Sequence, residues 1–264
     1  MFCIRLSSAK FSRQLRMLAM LLVLAGMLLR PAVVRADATA DYYFKLVTLD
    51  NAYEIASLLN KGISPNLTEP KRGDSGLILA LREEAMQVFK LLLDAPGVDL
   101  EIRARNGDNA LMIAAWKENR TAVEALLKKG AEVNREGWTA LHYAAAKGNN
   151  DIVRLLLDHD ADLDATSPAG ITPLMMAAQG GHIYTVKLLH DMGADATIED
   201  DHGRTAVTFA ARNGHNDIVV GLKHRLSRPV VRQPVRARKS IAAKQADDFP
   251  EPHLNEPVRL PPMD

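Results

Sequence analysis

The chain has 264 residues, of which 47% are hydrophobic and 25% are charged. This composition is typical of a folded globular protein and excludes a chain that is disordered throughout. The formal net charge is only +1, so the chain as a whole has no strong electrostatic bias toward nucleic acid.

The first 38 residues have the pattern of a cleaved secretory signal peptide. A basic lead without any acidic residue precedes an apolar run from Met17 to Leu29, and Ala36 and Ala38 follow at small-residue spacing. The apolar run has thirteen residues, which is short of the ~20 that a helix needs to span a bilayer. We therefore expect cleavage near Ala36 or Ala38 and a periplasmic or secreted protein, without a stable membrane span after cleavage. An uncleaved membrane anchor is the alternative.

The cysteine count restricts the chemistry of the mature protein. The single cysteine, Cys3, lies in the segment that we expect to be removed. The mature protein would then contain no disulfide, no thiolate nucleophile and no cysteine metal ligand. An exported protein of this kind must be held together by packing alone.

Six helical repeats are predicted in the next part of the chain. Gly137, Gly170 and Gly203 are 33 residues apart, and each is followed by a threonine, a short helix with paired alanines, a glycine and a second apolar helix. Earlier copies begin at Gly73 and Gly107, and the first copy is placed by its second half, IASLLNKGISPN. The repeats span about 40–72, 73–106, 107–136, 137–169, 170–202 and 203–228, which makes residues 39–228 the folded domain.

The residue types in each repeat have physical reasons. Thr172 can cap its helix through the hydroxyl, and Pro173 occupies the first helical position, where a missing N–H has no consequence. Gly181 is placed to end the helix in the left-handed conformation. A single repeat cannot bury its own apolar face, so each copy must pack on the next, which explains why the pattern repeats.

Two segments carry a family resemblance. The sequence from Thr139, TALHYAA, and that from Thr172, TPLMMAA, resemble the ankyrin repeat, which has a period of about 33 residues and the signature T-P-L-H-x-A. Copies with weaker matches start at Ser75, Asn109 and Thr205. The resemblance covers about residues 41–228. It implies an all-α fold, an α-solenoid of about six stacked helix–turn–helix units with short β-hairpin fingers.

The composition changes again after the last repeat. Residues 229–264 are rich in proline, and between Lys223 and Lys244 there are eight basic residues and no acidic one. We expect this tail to be disordered. It is either a solubilising extension or a segment that makes a weak contact with an acidic partner or an anionic surface.

The chain shows no pattern that indicates catalysis. Phosphate-binding loops, dinucleotide fingerprints, G-x-S-x-G and H-E-x-x-H motifs are absent from the sequence. His182 and His215 are one repeat apart, which favours a repeated structural role, and the resemblance implies that His142 organises loop hydrogen bonds. We therefore expect a protein that is not an enzyme and that has no cofactor, no metal site and no nucleic-acid partner.

The resemblance implies that a partner protein binds the concave face, which is built from the finger tips and the exposed sides of the first helices. Projecting the repeat onto this sequence places on that face Asp74, Arg82, Arg105, Asp108, Trp116, Lys117, Trp138, Lys147, Ile171, Gln179, His202, Arg204 and Arg212.

Both tryptophans of the chain belong to this set. Because tryptophan is enriched at the centres of interfaces, Trp116 and Trp138 are candidate contacts, although they could equally fill space along the stack. We expect a monomer that binds another protein in the periplasm. The alternatives are a secreted effector that binds a host protein and an accessory partner that stabilises a periplasmic enzyme.

Overall fold

The computed structural model describes residues 39–226, so the predicted signal peptide and the whole of the predicted tail lie outside the described residues. Within them the chain is all-α. The twelve described helices are α1 (39–48), α2 (Ala52–Asn60), α3 (Gly76–Arg82), α4 (Met86–Leu93), α5 (Ala110–Trp116), α6 (Arg120–Lys128), α7 (Ala140–Lys147), α8 (Asn150–Asp158), α9 (Pro173–Gln179), α10 (Ile183–Asp191), α11 (Ala206–Arg212) and α12 (Asn216–Leu226). Among these residues no helix combines the length and the apolar content that crossing a bilayer requires.

The chain divides into two compact bodies at Asn106. The N-terminal body contains α1 to α4, which form two helix pairs. The C-terminal body contains α5 to α12, which form four. In the C-terminal body the first helices pack in one row, α5 on α7, α7 on α9 and α9 on α11, and the second helices form a parallel outer row. This side-by-side packing is the arrangement of an α-solenoid.

Short polar caps determine where the helices begin. In the C-terminal body Asn109, Asn119 and Asn149 each accept a hydrogen bond on the side chain from the backbone N–H three residues later. Thr172 does the same for the Met175 N–H at 3.3 Å, with proline at the next position, as the sequence predicts. Each cap satisfies an amide that the helix itself leaves without a partner.

The fingers differ from the prediction of β-hairpins. In the described residues the only paired β position is an isolated bridge between Thr68 and Ser75. The fingers before α9 and α11 are tight turns, each closed by two backbone hydrogen bonds. Before α9 the Ser167 N–H donates to the Ile171 carbonyl and the Gly170 N–H to the Ser167 carbonyl, and before α11 the N–H groups of Asp200 and Gly203 donate in the same way to the carbonyls of Arg204 and Asp200. The side chains of Ser167 and Asp200 accept the amides inside their turns, so few backbone groups remain for a strand ladder.

Side chains link the loops that follow successive second helices. In the C-terminal body the Asn134 side chain donates to the Asp160 carbonyl at 2.7 Å and accepts from the Asp162 N–H at 2.7 Å. One repeat later the Asp164 carboxylate accepts from the Asp195 N–H at 2.9 Å. The loops therefore add polar contacts between repeats to the apolar contacts between helices.

Candidate functional site

Three aromatic side chains form a cluster at the junction of the third and fourth repeats. Trp116 ends α5, Trp138 lies in the turn before α7, and Tyr143 lies on α7. The Tyr143 ring centroid is 5.8 Å from that of Trp116 in an edge-to-face arrangement and 6.3 Å from that of Trp138. The tryptophans are thus joined through Tyr143, and we call these three residues the aromatic cluster. Edge-to-face pairing is a favoured geometry for aromatic rings.

Polar partners hold the aromatic cluster in position. The Tyr143 hydroxyl donates to the buried Asp108 carboxylate at 2.5 Å. The Lys147 ammonium lies 4.9 Å from the centre of the Trp116 ring and 3.4 Å from the Glu118 carboxylate. Trp116 remains 45% exposed, while Trp138 and Tyr143 are half-buried. The site therefore presents a ring surface to solvent on a framework of fixed polar contacts.

His142 joins the cluster to the next repeat. Its ring packs edge-on against Trp138, with centroids 5.2 Å apart. Nδ1 accepts the Thr139 backbone N–H at 3.2 Å, so the proton of the neutral ring is on Nε2, which donates to the Ile171 carbonyl at 2.9 Å. Burial lowers the pKa of His142, and the Ile171 contact opposes this less strongly. These contacts confirm the implied role of His142 in organising loop hydrogen bonds.

Two other histidines cover glycines of the preceding repeat. His182 Nε2 donates to the Ala146 carbonyl at 2.9 Å, and the ring lies against Gly148. His215 repeats the arrangement, with Nε2 at 3.1 Å from the Gln179 carbonyl and its ring against Gly181. The expectation that these histidines occupy repeated structural positions is confirmed.

The turn before α11 is held by a buried carboxylate. Oδ1 of Asp200 accepts the backbone N–H of His202 at 3.0 Å and the backbone N–H of Arg204 at 2.8 Å. Oδ2 accepts the side-chain Nε–H of Arg204 at 2.7 Å. The Arg204 guanidinium, in turn, lies 4.8 Å from the centre of the Phe209 ring. The side-chain hydrogen bond from Arg204 is the main reason that the pKa of Asp200 falls to about 2.

Asp200→Asn is expected to lower the melting temperature near pH 7 but not near pH 2. Asparagine can still accept the two backbone amides, so the substitution removes mainly the charge. Because the folded pKa is about 2 and an unfolded aspartate titrates near ~3.9, the stabilisation is fully present above about pH 4 and disappears as the pH falls toward 2. Melting temperatures of the wild type and of Asp200→Asn, measured from pH 7 down to pH 2, test this expectation. A difference in melting temperature that does not change with pH would contradict the charge as its cause.

The structure brings together five of the thirteen residues that the sequence placed on the partner-binding face. Asp108, Trp116 and Trp138 meet at Tyr143, Lys147 lies over the Trp116 ring, and Ile171 joins them through His142. Elsewhere in the C-terminal body Lys117, Gln179, His202 and Arg212 are exposed and Arg204 is half-buried.

The other three belong to the N-terminal body, where Arg105 is exposed and Arg82 is half-buried. Asp74 is completely buried, and its carboxylate pairs with Arg72 Nε at 2.9 Å and Arg82 Nε at 3.2 Å. Asp74, like the buried Asp108, is therefore not accessible to a partner and serves to position its neighbours.

Sequence reasoning missed Tyr143, which is central to the cluster. The signal was present, because Tyr143 holds the position that is Ile113, Met176 or Phe209 in neighbouring repeats, and it is the residue whose ring meets the turn. The Arg204–Phe209 contact uses the same two positions as the Trp138–Tyr143 contact. A comparison of these paired positions could have found the cluster.

In residues 39–226 no group of three or more histidine, cysteine, aspartate or glutamate side chains is arranged to hold a metal ion.

The comparison with known families matches the repeat pattern directly. The family model for ankyrin repeats, which spans three copies of the repeat, matches residues 46–136, 77–167 and 160–229. The chain belongs to the ankyrin-repeat family. Its stacked helix pairs are ankyrin repeats, and proteins of this family generally use such repeats to bind other proteins rather than for catalysis.

Individual relatives match part of this ankyrin protein. It is 32% identical over 111 residues to SH3 and multiple ankyrin repeat domains protein 2 of Homo sapiens, covering 40% of this chain and 6% of that protein. It is 32% identical over 134 residues to the nuclear factor NF-kappa-B p105 subunit of Gallus gallus, covering 48% of this chain and 14% of that protein. A 70-residue stretch is 43% identical to the 2-5A-dependent ribonuclease of Mus musculus, covering 25% of this chain and 10% of the enzyme. The chain thus spans a small fraction of each relative's length.

Proposed function

We propose that this chain is a non-enzymatic binding protein that holds a partner protein on the face formed by its first helices and finger turns, with the aromatic cluster as the principal contact. The observation that carries the proposal is the partial exposure of Trp116. Its ring packs edge-to-face on Tyr143, and the hydroxyl of Tyr143 is held by Asp108. Ankyrin repeats are protein-interaction modules, which supports the general function, while the location of the contact is inferred from the cluster.

The arrangement of the cluster suits binding rather than only packing. A side chain that serves only to fill the stack can be buried completely, as Leu126, Leu141 and Leu156 are. Trp116 instead keeps 45% of its surface exposed. The exposed part of its apolar ring adds little to the stability of the fold, because only buried apolar surface does so. Rings that are already ordered lose little conformational freedom on binding, which favours affinity.

Replacing either tryptophan with alanine is expected to weaken partner binding by roughly thirtyfold, the size of an interface hot spot of about 2 kcal/mol. The partner would first be captured by the wild-type protein and identified, and its affinity for each variant then measured by calorimetry. Trp116→Ala tests the proposal more directly, because Trp116 is the more exposed of the two rings and its removal should disturb the fold less.

Tyr184→Ala is the matched control for this measurement. Tyr184 is an aromatic residue of the same body, is 68% exposed and lies on α10 in the outer row of helices. Its removal should leave partner affinity unchanged. If Trp116→Ala and Trp138→Ala bind the partner as wild type does but melt at lower temperature, the tryptophans are packing residues and the proposed site is wrong.

We further propose that binding takes place outside the cytoplasm, in the periplasm of a bacterium, with residues 1–38 removed. The basic lead, the apolar run and the small residues near Ala36 support this location. Retention of the protein in the periplasmic fraction would argue against a secreted effector.

A further inference from the structure

The repeats and the C-terminal tail carry opposite charge. Residues 39–226 contain 20 lysines and arginines against 26 aspartates and glutamates, whereas residues 228–244 contain six basic residues and no acidic one. Opposite charges on two parts of one chain attract each other at the distances that a tethered segment can reach. The acidic repeats therefore attract the chain's own basic segment.

Two exposed acidic residues lie close to the tryptophans along the chain. Glu136 is exposed and lies two residues before Trp138, while Glu118 lies two residues after Trp116 with 46% of its side chain exposed. Lys147 already occupies the Trp116 side, pairing with Glu118 at 3.4 Å. On the Trp138 side the neighbouring cation, Arg135, is paired with Glu132 at 3.4 Å. An arriving cation is thus best accommodated near Trp138 and Glu136.

The basic part of the tail has the chemistry that such a surface recognises. Residues 228–239 read RPVVRQPVRARK, with prolines at 229 and 234 and arginines at 228, 232, 236 and 238. Extended proline-containing segments bind grooves lined with aromatic rings, because little conformational entropy is lost when they bind. Arginine also stacks on tryptophan rings and forms hydrogen bonds with carboxylates.

The tail can also reach the cluster. A short turn joins α11 to α12, which makes the two helices antiparallel, so α12 ends on the side of the finger turns, where Trp138 lies. Two repeats separate α12 from α8, and at ~10 Å for each the distance is on the order of 20–30 Å. Extended chain covers up to ~3.3–3.6 Å per residue, so about six to nine residues beyond Leu226 are sufficient.

We propose that residues 228–239 of this chain bind its own aromatic cluster, with an arginine between Trp138 and Glu136, and so compete with the partner for this site. The proposal rests on the proposed function, since it uses the same cluster. The tail then acts as an intramolecular competitor, and a partner must displace it to bind.

The tryptophans provide a direct measurement, because the chain contains only Trp116 and Trp138. In the full chain, Arg232→Glu with Arg236→Glu is expected to raise the acrylamide quenching constant of tryptophan fluorescence about twofold, because contact residues at an interface are shielded from water. The matched control, Lys244→Glu with Arg259→Glu, makes the same change in charge outside the segment and should quench as wild type does. Raising the salt concentration should remove the protection from the wild-type protein.

A charge exchange tests the named contact. Glu136→Arg alone should raise quenching, and Glu136→Arg combined with Arg232→Glu and Arg236→Glu should restore the wild-type value. Equal quenching of the wild type, the tail variant and the control would overturn the proposal. So would protection that appears only at concentrations where the chain sediments as a dimer, since the occupant would then be a second copy. Neither outcome changes the capture experiment with Trp116→Ala, so the two proposals can fail separately.

Discussion

Gly148→Ala is expected to lower the free energy of unfolding by about 2 to 4 kcal/mol, from backbone strain together with a lost hydrogen bond. Gly148 has φ of 73°, a conformation that side-chain-bearing residues rarely adopt. An alanine Cβ there would lie 2.4 Å from Nδ1 of His182. The imidazole would have to move, and its 2.9 Å contact with the Ala146 carbonyl would be broken. The substitution therefore affects both the turn that it occupies and the packing of the next repeat.

Gly214→Ala separates the two contributions. Gly214 holds the corresponding position in the last repeat with φ of 78°, but an added Cβ would meet nothing within 4 Å. This control should show only the backbone strain, on the order of 1 kcal/mol. Urea denaturation of the two variants and the wild type makes the comparison. If Gly148→Ala and Gly214→Ala lowered the free energy of unfolding equally, His182 would contribute nothing to the coupling between repeats.

His142→Ala is expected to destabilise the protein by about 3 kcal/mol, because it opens a cavity and leaves buried polar groups without partners. His142 is fully buried, and removing its ring leaves the Thr139 N–H and the Ile171 carbonyl without their hydrogen bonds. Trp138 also loses the ring against which it packs. The change should therefore disorder the aromatic cluster as well as lower the midpoint of denaturation, and tryptophan emission reports the first effect separately.

Thr208→Ala is the control for His142→Ala. Thr208 holds the same position in the sixth repeat, where its hydroxyl makes one contact of 3.4 Å with that of Thr205. Removing this hydroxyl should lower the free energy of unfolding by less than about 1 kcal/mol, as expected for a single neutral hydrogen bond that is partly exposed. If His142→Ala and Thr208→Ala lowered the free energy of unfolding by similar amounts, the role of His142 in joining two repeats would be contradicted.

The same histidine makes stability depend on pH. Because burial lowers the pKa of His142 in the folded protein, the unfolded chain binds a proton at a pH where the folded chain does not. Stability therefore falls as the pH drops below the ordinary value of about 6.5 and continues to fall until the folded pKa is reached. The contribution disappears in His142→Ala, so the difference in stability between the two proteins should narrow on acidification.

The sequence by itself determined the repeat architecture of this protein. The recurrence of capping threonines and asparagines, paired alanines and left-handed glycines in register predicts where each helix begins and ends, because these are local preferences of the backbone. The helix pairs from α3 to α12 keep that register, although Glu84 and Glu118 hold the left-handed position after α3 and α5. The structural role of His142, His182 and His215 also follows from the repeat. Periodicity was sufficient here because each repeat contacts only its neighbours.

Only the tertiary structure decided which side chains meet and which remain accessible. Asp74 and Asp108 were expected at the surface but are buried. Asp74 pairs with Arg72 of its own turn and with Arg82 of α3, while Asp108 accepts the Tyr143 hydroxyl of the next repeat. The fingers became turns instead of hairpins for a similar reason, since the side chains of Ser167 and Asp200 accept the amides within the turn. Such contacts depend on distances between side chains that the repeat period does not encode, and the aromatic cluster arises from the same kind of contact.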